Sequence, residues 1–197
     1  SSVHLNLFGP NPVVVFGTDE QKARMLPPLI QGLDRACFGV TEPDAGLNTT
    51  RLATRAVRDG DHYRVRGRKL WTTTAQTANK ILLIARTTPL EECAKPTEGL
   101  TLFYTDLDRD RIEGRLIDKM GRKAVDSNAL FIDDLLVPIG DRIGEEGDGW
   151  KCLLHGLNPE RILIAAEAVG LGQVALERAA RYASERVVFD RTIGKNQ

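Results

Sequence analysis

Long apolar runs are missing from this sequence. None approaches the roughly 20 residues that a membrane-spanning helix needs, so no span is expected. An excess of one charge is missing too. Lys+Arg and Asp+Glu each number 27, giving a formal net charge of +0, which argues against a nucleic-acid tail or a polybasic membrane surface. Cysteine is scarce. Cys37, Cys93 and Cys152 are odd in number and far apart, which fits neither a disulfide framework nor a zinc site and makes a reducing cytoplasm the default location. The histidines His4, His62 and His155 lack metal-ligand spacing, so no metal site is expected. Low-complexity segments and internal repeats are absent, and no basic-then-apolar leader opens the sequence as given. The ends read as cut: residues 1–12 carry no plausible start, and 192–197 stop in mid-pattern.

What is present is an ordinary globular composition, 42% hydrophobic and 27% charged, enough for a packed core. Residues 18–31 read as a helix, with Thr18 as N-cap, Asp19 and Glu20 in the first turn, and Ala23, Leu26 and Ile30 at helical spacing. Pro27 and Pro28 predict a break into two short turns. From 35 to about 138 the pattern is one of short strands. Residues 54–58 and 62–66 flank the hairpin signal Asp59-Gly60-Asp61, with Ala56, Tyr63 and Val65 facing a core and Arg55, Arg64 and Arg66 facing water. Residues 80–86 read as a strand buried on both faces, and 100–105 and 128–137 as further strands, which together predict an antiparallel sandwich or barrel. Gly144, Gly147 and Gly149 lack the P-loop Lys-Ser/Thr and read as a turn. Beyond them the pattern turns helical, with a start predicted at Asn158 as N-cap, Pro159 at the first position and Glu160 in the first turn. The apolar stripe of that helix needs partners the sequence does not supply.

Several stretches, in order, resemble the acyl-CoA dehydrogenase family. Val40-Thr41-Glu42-Pro43-Asp44-Ala45-Gly46 is similar to the family's Val-Thr-Glu-Pro-x-Ala-Gly-Ser-Asp, with Leu47-Asn48 replacing the usual Ser-Asp. Gly67-Arg68-Lys69-Leu70-Trp71-Thr72-Thr73-Thr74 is similar to Gly-x-Lys-x-Trp-Ile-Thr-Asn. Lys119-Met120-Gly121, Val137-Pro138, Glu160-Arg161, and Arg186-x-x-Phe189-x-Arg191-x-Ile193-Gly194 extend the match over nearly the whole chain. Any one motif is moderately specific; the ordered set is highly specific.

The resemblance implies an α+β fold: an antiparallel β-barrel or sandwich domain flanked by helices. Residues 1–33 would end an N-terminal helical domain, 34–140 form the middle β-domain, and 148–197 begin a C-terminal helical bundle, most of both helical domains being absent. It implies FAD as cofactor and an acyl-CoA thioester as substrate, with a Glu removing the α proton while flavin N5 takes the β hydride. Phe38, Val40, Thr41, Leu47, Trp71 and Thr73 would lie against the flavin. Arg186, Val188, Asn196 and Gln197 would reach its diphosphate region across a subunit interface, Arg suiting phosphate by its planar fork. Glu160 matches the catalytic position of some branches; in others the base lies further downstream. Leu47, Asn158 and Arg161 would contact substrate. Each residue also has a plainer reading: Thr41 as a polar turn, Trp71 as a core indole ending a strand, Arg186 as a solvated helix end, Glu160 as a helix-start acid stabilised by the dipole, Arg161 as one half of a local ion pair.

The implied partners are electron-transfer flavoprotein as acceptor and a second copy of the chain, as dimer or tetramer. The implied setting is fatty acid metabolism in the cytoplasm. Two other readings stay open: an oxygen-using relative, such as an acyl-CoA oxidase or a flavin monooxygenase, and a non-catalytic scaffold with the same fold. The fragment alone is expected to be inactive and to bind FAD poorly.

Overall fold

The computed structural model describes residues 8–196. The chain divides into two compact units, Ser1–Leu157 and Asn158–Gln197. In the first, α1 (Asn11–Phe16) and α2 (Asp19–Ile30) precede the strands β1 (Ala36–Gly39), β2 (Arg55–Asp59), β3 (His62–Thr73), β4 (Lys80–Arg86), β5 (Leu100–Asp106), β6 (Ile112–Leu116), β7 (Ser127–Pro138) and β8 (Arg142–Ile143). Then α3 (Gly149–Glu185) begins, and the division between the units falls within it.

The start of α2 is the one predicted. Thr18 Oγ1 accepts from the Gln21 amide at 3.2 Å while Gln21 Oε1 accepts from the Thr18 amide at 2.9 Å, a reciprocal capping box. The break predicted at Pro27-Pro28 does not occur; the helix runs through both to Ile30. The prolines withhold two N–H groups only in its closing turns, and the buried face formed by Gln21, Met25 and Leu29 holds the helix to the sheet.

The sheet runs β6-β7-β3-β2-β4-β5-β8, with β1 also paired to β4. The expected α+β class holds, and the sheet stays open in sandwich-like layers rather than closing into a barrel. It is mixed: β1 runs parallel to β4, and β2 meets β4 in parallel at Arg55 and Arg86. The β2–β3 hairpin turns at Gly60-Asp61, with Asp59 opposite His62 and Gly60 at φ 62°. Ala56, Tyr63 and Val65 face inward while Arg55, Arg64 and Arg66 are exposed. The short strand β6, with exposed polar positions on either side of Gly114, had no alternating pattern to announce it.

Ile81–Ala85 is buried on both faces because two apolar clusters meet there. One, containing Ile81, Leu83, Phe103, Tyr63, Val65, Leu130 and Val137, fills the space between the layers. The other sets Leu82, Ile84, Leu102 and Tyr104 against Val13, Met25 and Leu29 of the helices and Cys152 and Leu153 of α3.

Gly149 lets α3 start where it does. A Cβ there would stand 2.6 Å from Leu102 N and Thr101 C, both backbone atoms of β5. Gly149→Ala is therefore expected to destabilise the first unit by about 1–3 kcal/mol, the range of overpacking costs. Trp71 and Trp150 both lie in this unit, so a shifted denaturant midpoint in tryptophan fluorescence reads the effect.

The second unit holds the rest of α3 and a small hairpin, β9 (Val187–Val188) with β10 (Arg191–Thr192). A helix start at Asn158 is not what the structure shows: Pro159 and Glu160 lie inside α3. A proline in a helix leaves the carbonyl four residues earlier without its partner. Here that carbonyl belongs to His155, and the Asn11 side-chain amide donates to it at 2.7 Å.

Candidate functional site

Three stretches of the first unit converge beside β3. The Leu70 amide donates to the Thr41 carbonyl at 2.8 Å, so the segment leaving β1 and the far half of β3 lie side by side. Between Lys69 and Thr72 the β3–β7 register slips, Lys69 facing Leu130 and Thr72 facing Asn128. The extra residue makes a bulge, and Trp71 takes φ 61° within it. For a bulky side chain that backbone costs roughly 1–2 kcal/mol, and strain of this kind concentrates at functional positions. The indole is 55% exposed, beside a half-buried Thr73. Among the described residues, no hydrogen bond engages the Thr41 hydroxyl, the Trp71 indole N–H or the Thr73 hydroxyl.

Beneath this surface lies a buried ion pair. Lys69 has a wholly buried side chain whose Nζ donates to Glu42 Oε1 at 2.9 Å and to the Val40 carbonyl at 3.1 Å. The same carboxylate accepts from the amides of Ala53 (2.7 Å) and Thr54 (3.0 Å). Burial pushes the Lys69 ammonium down to about 8, although Glu42 draws it upward. Burial by itself would raise the Glu42 carboxyl; Lys69 and the bonds from Thr54 and Ala53 together outweigh it and hold the group below its ordinary value. A lysine at about 8 stays mostly protonated at neutral pH and a lowered carboxyl stays ionised, so the pair is charged there. Asn128, also fully buried, steadies the far side of the bulge: its amide donates to the Thr72 carbonyl at 3.0 Å, and its oxygen accepts from Gln76 Nε2 at 2.6 Å.

Of the residues expected at a cofactor, Thr41 and Trp71 lie on segments joined by the Leu70–Thr41 backbone bond, and Thr73 ends the same strand as Trp71. Phe38 and Val40 have half-buried side chains packed on the cluster beneath the helices. Leu47 is fully exposed in the turn beyond Ala45. In the second unit, Arg161 Nη1 donates to Asn158 Oδ1 at 2.7 Å, so the two residues expected at the substrate share one helix face. Glu160 is half-buried on α3. Arg186 follows the helix, and its carbonyl accepts from the Ile193 amide at 2.9 Å. Val188 pairs with Arg191 across a tip where Phe189 and Asp190 take φ 53° and 59°. Asn196 is exposed, and Gln197 lies outside the described residues.

Sequence reasoning missed the Glu42–Lys69 pair and Asn128. The pair had a signal: the first two motifs carry opposite charges, Glu42 and Asp44 in one and Arg68 and Lys69 in the other. Asn128 had none.

The profile of the acyl-CoA dehydrogenase middle domain matches residues 37–135, and that of the acyl-CoA dehydrogenase C-terminal domain matches residues 147–197. The chain belongs to the acyl-CoA dehydrogenase family. It is similar to a 3-(aryl)acrylate reductase of Clostridium sporogenes, 35% identical over 187 residues that cover 94% of this chain and 48% of that protein. It is also similar to an acyl-CoA dehydrogenase of Bacillus subtilis, 34% identical over 197 residues, covering 100% and 51%. Among solved structures, a glutaryl-CoA dehydrogenase from Mycobacterium smegmatis in complex with FADH2 superposes with a TM-score of 0.85 at 29% identity, covering 99% and 48%. The chain spans about half the length of the relatives it matches. No helix among the described residues is long and apolar enough to cross a membrane, and no cluster of metal-ligating side chains occurs among them.

Proposed function

We propose that this chain is the middle β-domain and the start of the C-terminal bundle of an FAD-dependent acyl-CoA dehydrogenase, with domains at 34–140 and 148–197 and the end of an N-terminal helical domain at 1–33. The observation that carries the proposal is the 2.8 Å bond between Leu70 and Thr41, which sets the strained, exposed Trp71 beside a segment with an unengaged hydroxyl. Two independent family motifs meet on one surface there, and its donors suit a flat, polar-edged ring.

FAD, when bound, supplies the acceptor for a β hydride. In this reading the chain's own residues hold and polarise. Trp71 offers an apolar face, Thr41 and Thr73 offer hydroxyls toward developing charge, and the backbones of Phe38 and Val40 line the approach. Arg186, with Val188, Asn196 and Gln197, takes the diphosphate region of a cofactor held by another copy of the chain, making a dimer or tetramer part of the site. Glu160 removes the α proton of the acyl-CoA, and Asn158, Arg161 and Leu47 contact the thioester's carrier portion. Ile162, Val169, Leu171 and Leu176 are exposed along α3, as expected of a helix that belongs in a larger bundle. Electron-transfer flavoprotein is the proposed acceptor.

The test uses the full-length protein. It should purify with a yellow flavin spectrum that bleaches anaerobically with a saturated acyl-CoA. Because the C. sporogenes relative is named as a reductase of an acrylate, the assay runs in both directions. Trp71→Ala should weaken FAD binding about 10-fold, the equivalent of roughly 1.4 kcal/mol of ring contact. A colourless protein that cannot be reconstituted with FAD would leave only a scaffold. Turnover with oxygen as sole acceptor, at the rate seen with electron-transfer flavoprotein, would make it an oxidase.

A further inference from the structure

We propose that Glu42 and Lys69 are positioning residues for the cofactor surface, a buried electrostatic clamp that sets the Thr41 segment against the Trp71 bulge. The inference rests on the flavin reading above and adds to it a function for two side chains that cannot themselves reach a ligand.

The geometry is that of a junction. Lys69 Nζ reaches the Val40 carbonyl at 3.1 Å and Glu42 Oε1 at 2.9 Å, so a single ammonium fixes the backbone on one side of Thr41 and the side chain on the other. Glu42 extends the junction to the amides of Ala53 and Thr54, the stretch that leads into β2. One residue beyond Lys69, the Leu70 amide binds the Thr41 carbonyl, and the next residue is Trp71. The lysine stem has little room to move, since its side chain is wholly buried. Three separate stretches of chain are thereby held in register around one pair of charges.

Stability does not account for the pair. Taking two charges out of water offsets most of their attraction, and well-packed apolar side chains of the same volume are often as stable or more so. What such a substitution cannot supply is direction: an ammonium must point at its acceptors, and a carboxylate with four lone-pair sites binds two amides and a cation at once. The direct product of the pair is the fixed placement of the Thr41 carbonyl and, through it, of the bulge. A surface that holds a rigid ring needs that placement to a fraction of an ångström.

The test compares the full-length wild type with Lys69→Arg, Lys69→Met, Glu42→Gln and the double variant Glu42→Gln/Lys69→Met. The double variant leaves no lone buried charge and is the one expected to fold in every case. FAD affinity is measured by titrating the apoprotein and following flavin fluorescence, and amide exchange is measured on the same apoprotein. The double variant should bind FAD roughly 10–100-fold more weakly, the size of effect seen when partners that orient metal ligands are removed. Exchange should quicken at Ala53, Thr54 and Leu70 while the β4–β5 amides keep their protection. Lys69→Arg, which keeps the charge, should recover part of the affinity. A folded double variant with wild-type FAD affinity overturns the clamp. So does protection lost evenly across the sheet, which would make the pair a fold-wide support. A wild type that binds no FAD at all overturns the flavin reading itself, and the clamp with it.

Discussion

Replacing Glu160 with Gln in the full-length protein is expected to slow acyl-CoA dehydrogenation by roughly 10²–10⁴-fold, the usual contribution of a positioned general base. The loss should fall on kcat and kcat/KM together, because the carboxylate does its work only as the α proton leaves. Substrate binding should change little, since Asn158 and Arg161 hold each other on the same helix face whether or not residue 160 is charged. The structure alters the physics behind this prediction. At a helix start, Glu160 would sit in the field of unpaired N–H groups, which favours the carboxylate and weakens it as a base. Within α3, more than two turns beyond Gly149, it lies outside the reach of that terminal charge, which fades within the first turn. One objection to Glu160 as the base is thereby removed. A variant that turns over at the wild-type rate would move the base to a residue downstream of this chain.

The misplaced helix start shows where sequence reasoning stops. Asn158-Pro159-Glu160 satisfies every local rule for an N-terminus: a capping residue, a proline at the first position, an acid in the first turn. What overrules it is a side chain distant in sequence. Asn11 occupies the carbonyl that Pro159 abandons, and no periodicity within α3 could reveal that. The prolines of α2 give the same lesson, since burial of Met25 and Leu29 decides the matter. The strands were more legible. Alternation at Ala56, Tyr63 and Val65, and the unbroken apolar run in β4, are direct imprints of one-sided and two-sided burial. Strand direction was not legible, because β1 and β4 carry the same apolar composition whichever way they run. At the candidate site the motifs single out both Thr41 and Trp71, and the structure joins their segments by a backbone bond. In the sequence Lys69 stands out only as part of a motif. A lysine in a strand is ordinarily read as solvent-facing, and its complete burial depends on Glu42, more than twenty positions away.

The other large effect expected is structural and concerns a second buried cation. Arg86, at the end of β4, is 5% exposed. Its Nε donates to the Leu52 carbonyl at 3.2 Å, Nη1 to the Glu98 carbonyl at 3.0 Å and to Cys93 Sγ at 3.8 Å, and Nη2 to the carbonyls of Thr50 and Pro96 at 2.7 and 3.2 Å. Among the described residues no carboxylate lies within ion-pair distance of it, and its donors go to backbone carbonyls of the two loops it joins, 48–53 and 88–99. Arg86→Met would strip four carbonyls of their donor at once, the Leu52 bond buried and those of Thr50, Pro96 and Glu98 part-buried. Each acceptor left unmet costs about 1–3 kcal/mol, and after the loops relax toward water a net loss of about 3–5 kcal/mol is expected. Arg86→Lys should recover only part of this, since one ammonium cannot span a fork of acceptors set for a planar guanidinium. Denaturant unfolding followed by the fluorescence of Trp71 and Trp150 measures both. A loss below about 1 kcal/mol for Arg86→Met would mean that water serves these carbonyls as well as the guanidinium does. The consequence reaches the site, because the loop at 48–53 continues into Ala53 and Thr54, whose amides hold Glu42. Loosening that loop should therefore weaken FAD binding as well as the fold, in the same direction as the loss of Glu42 itself.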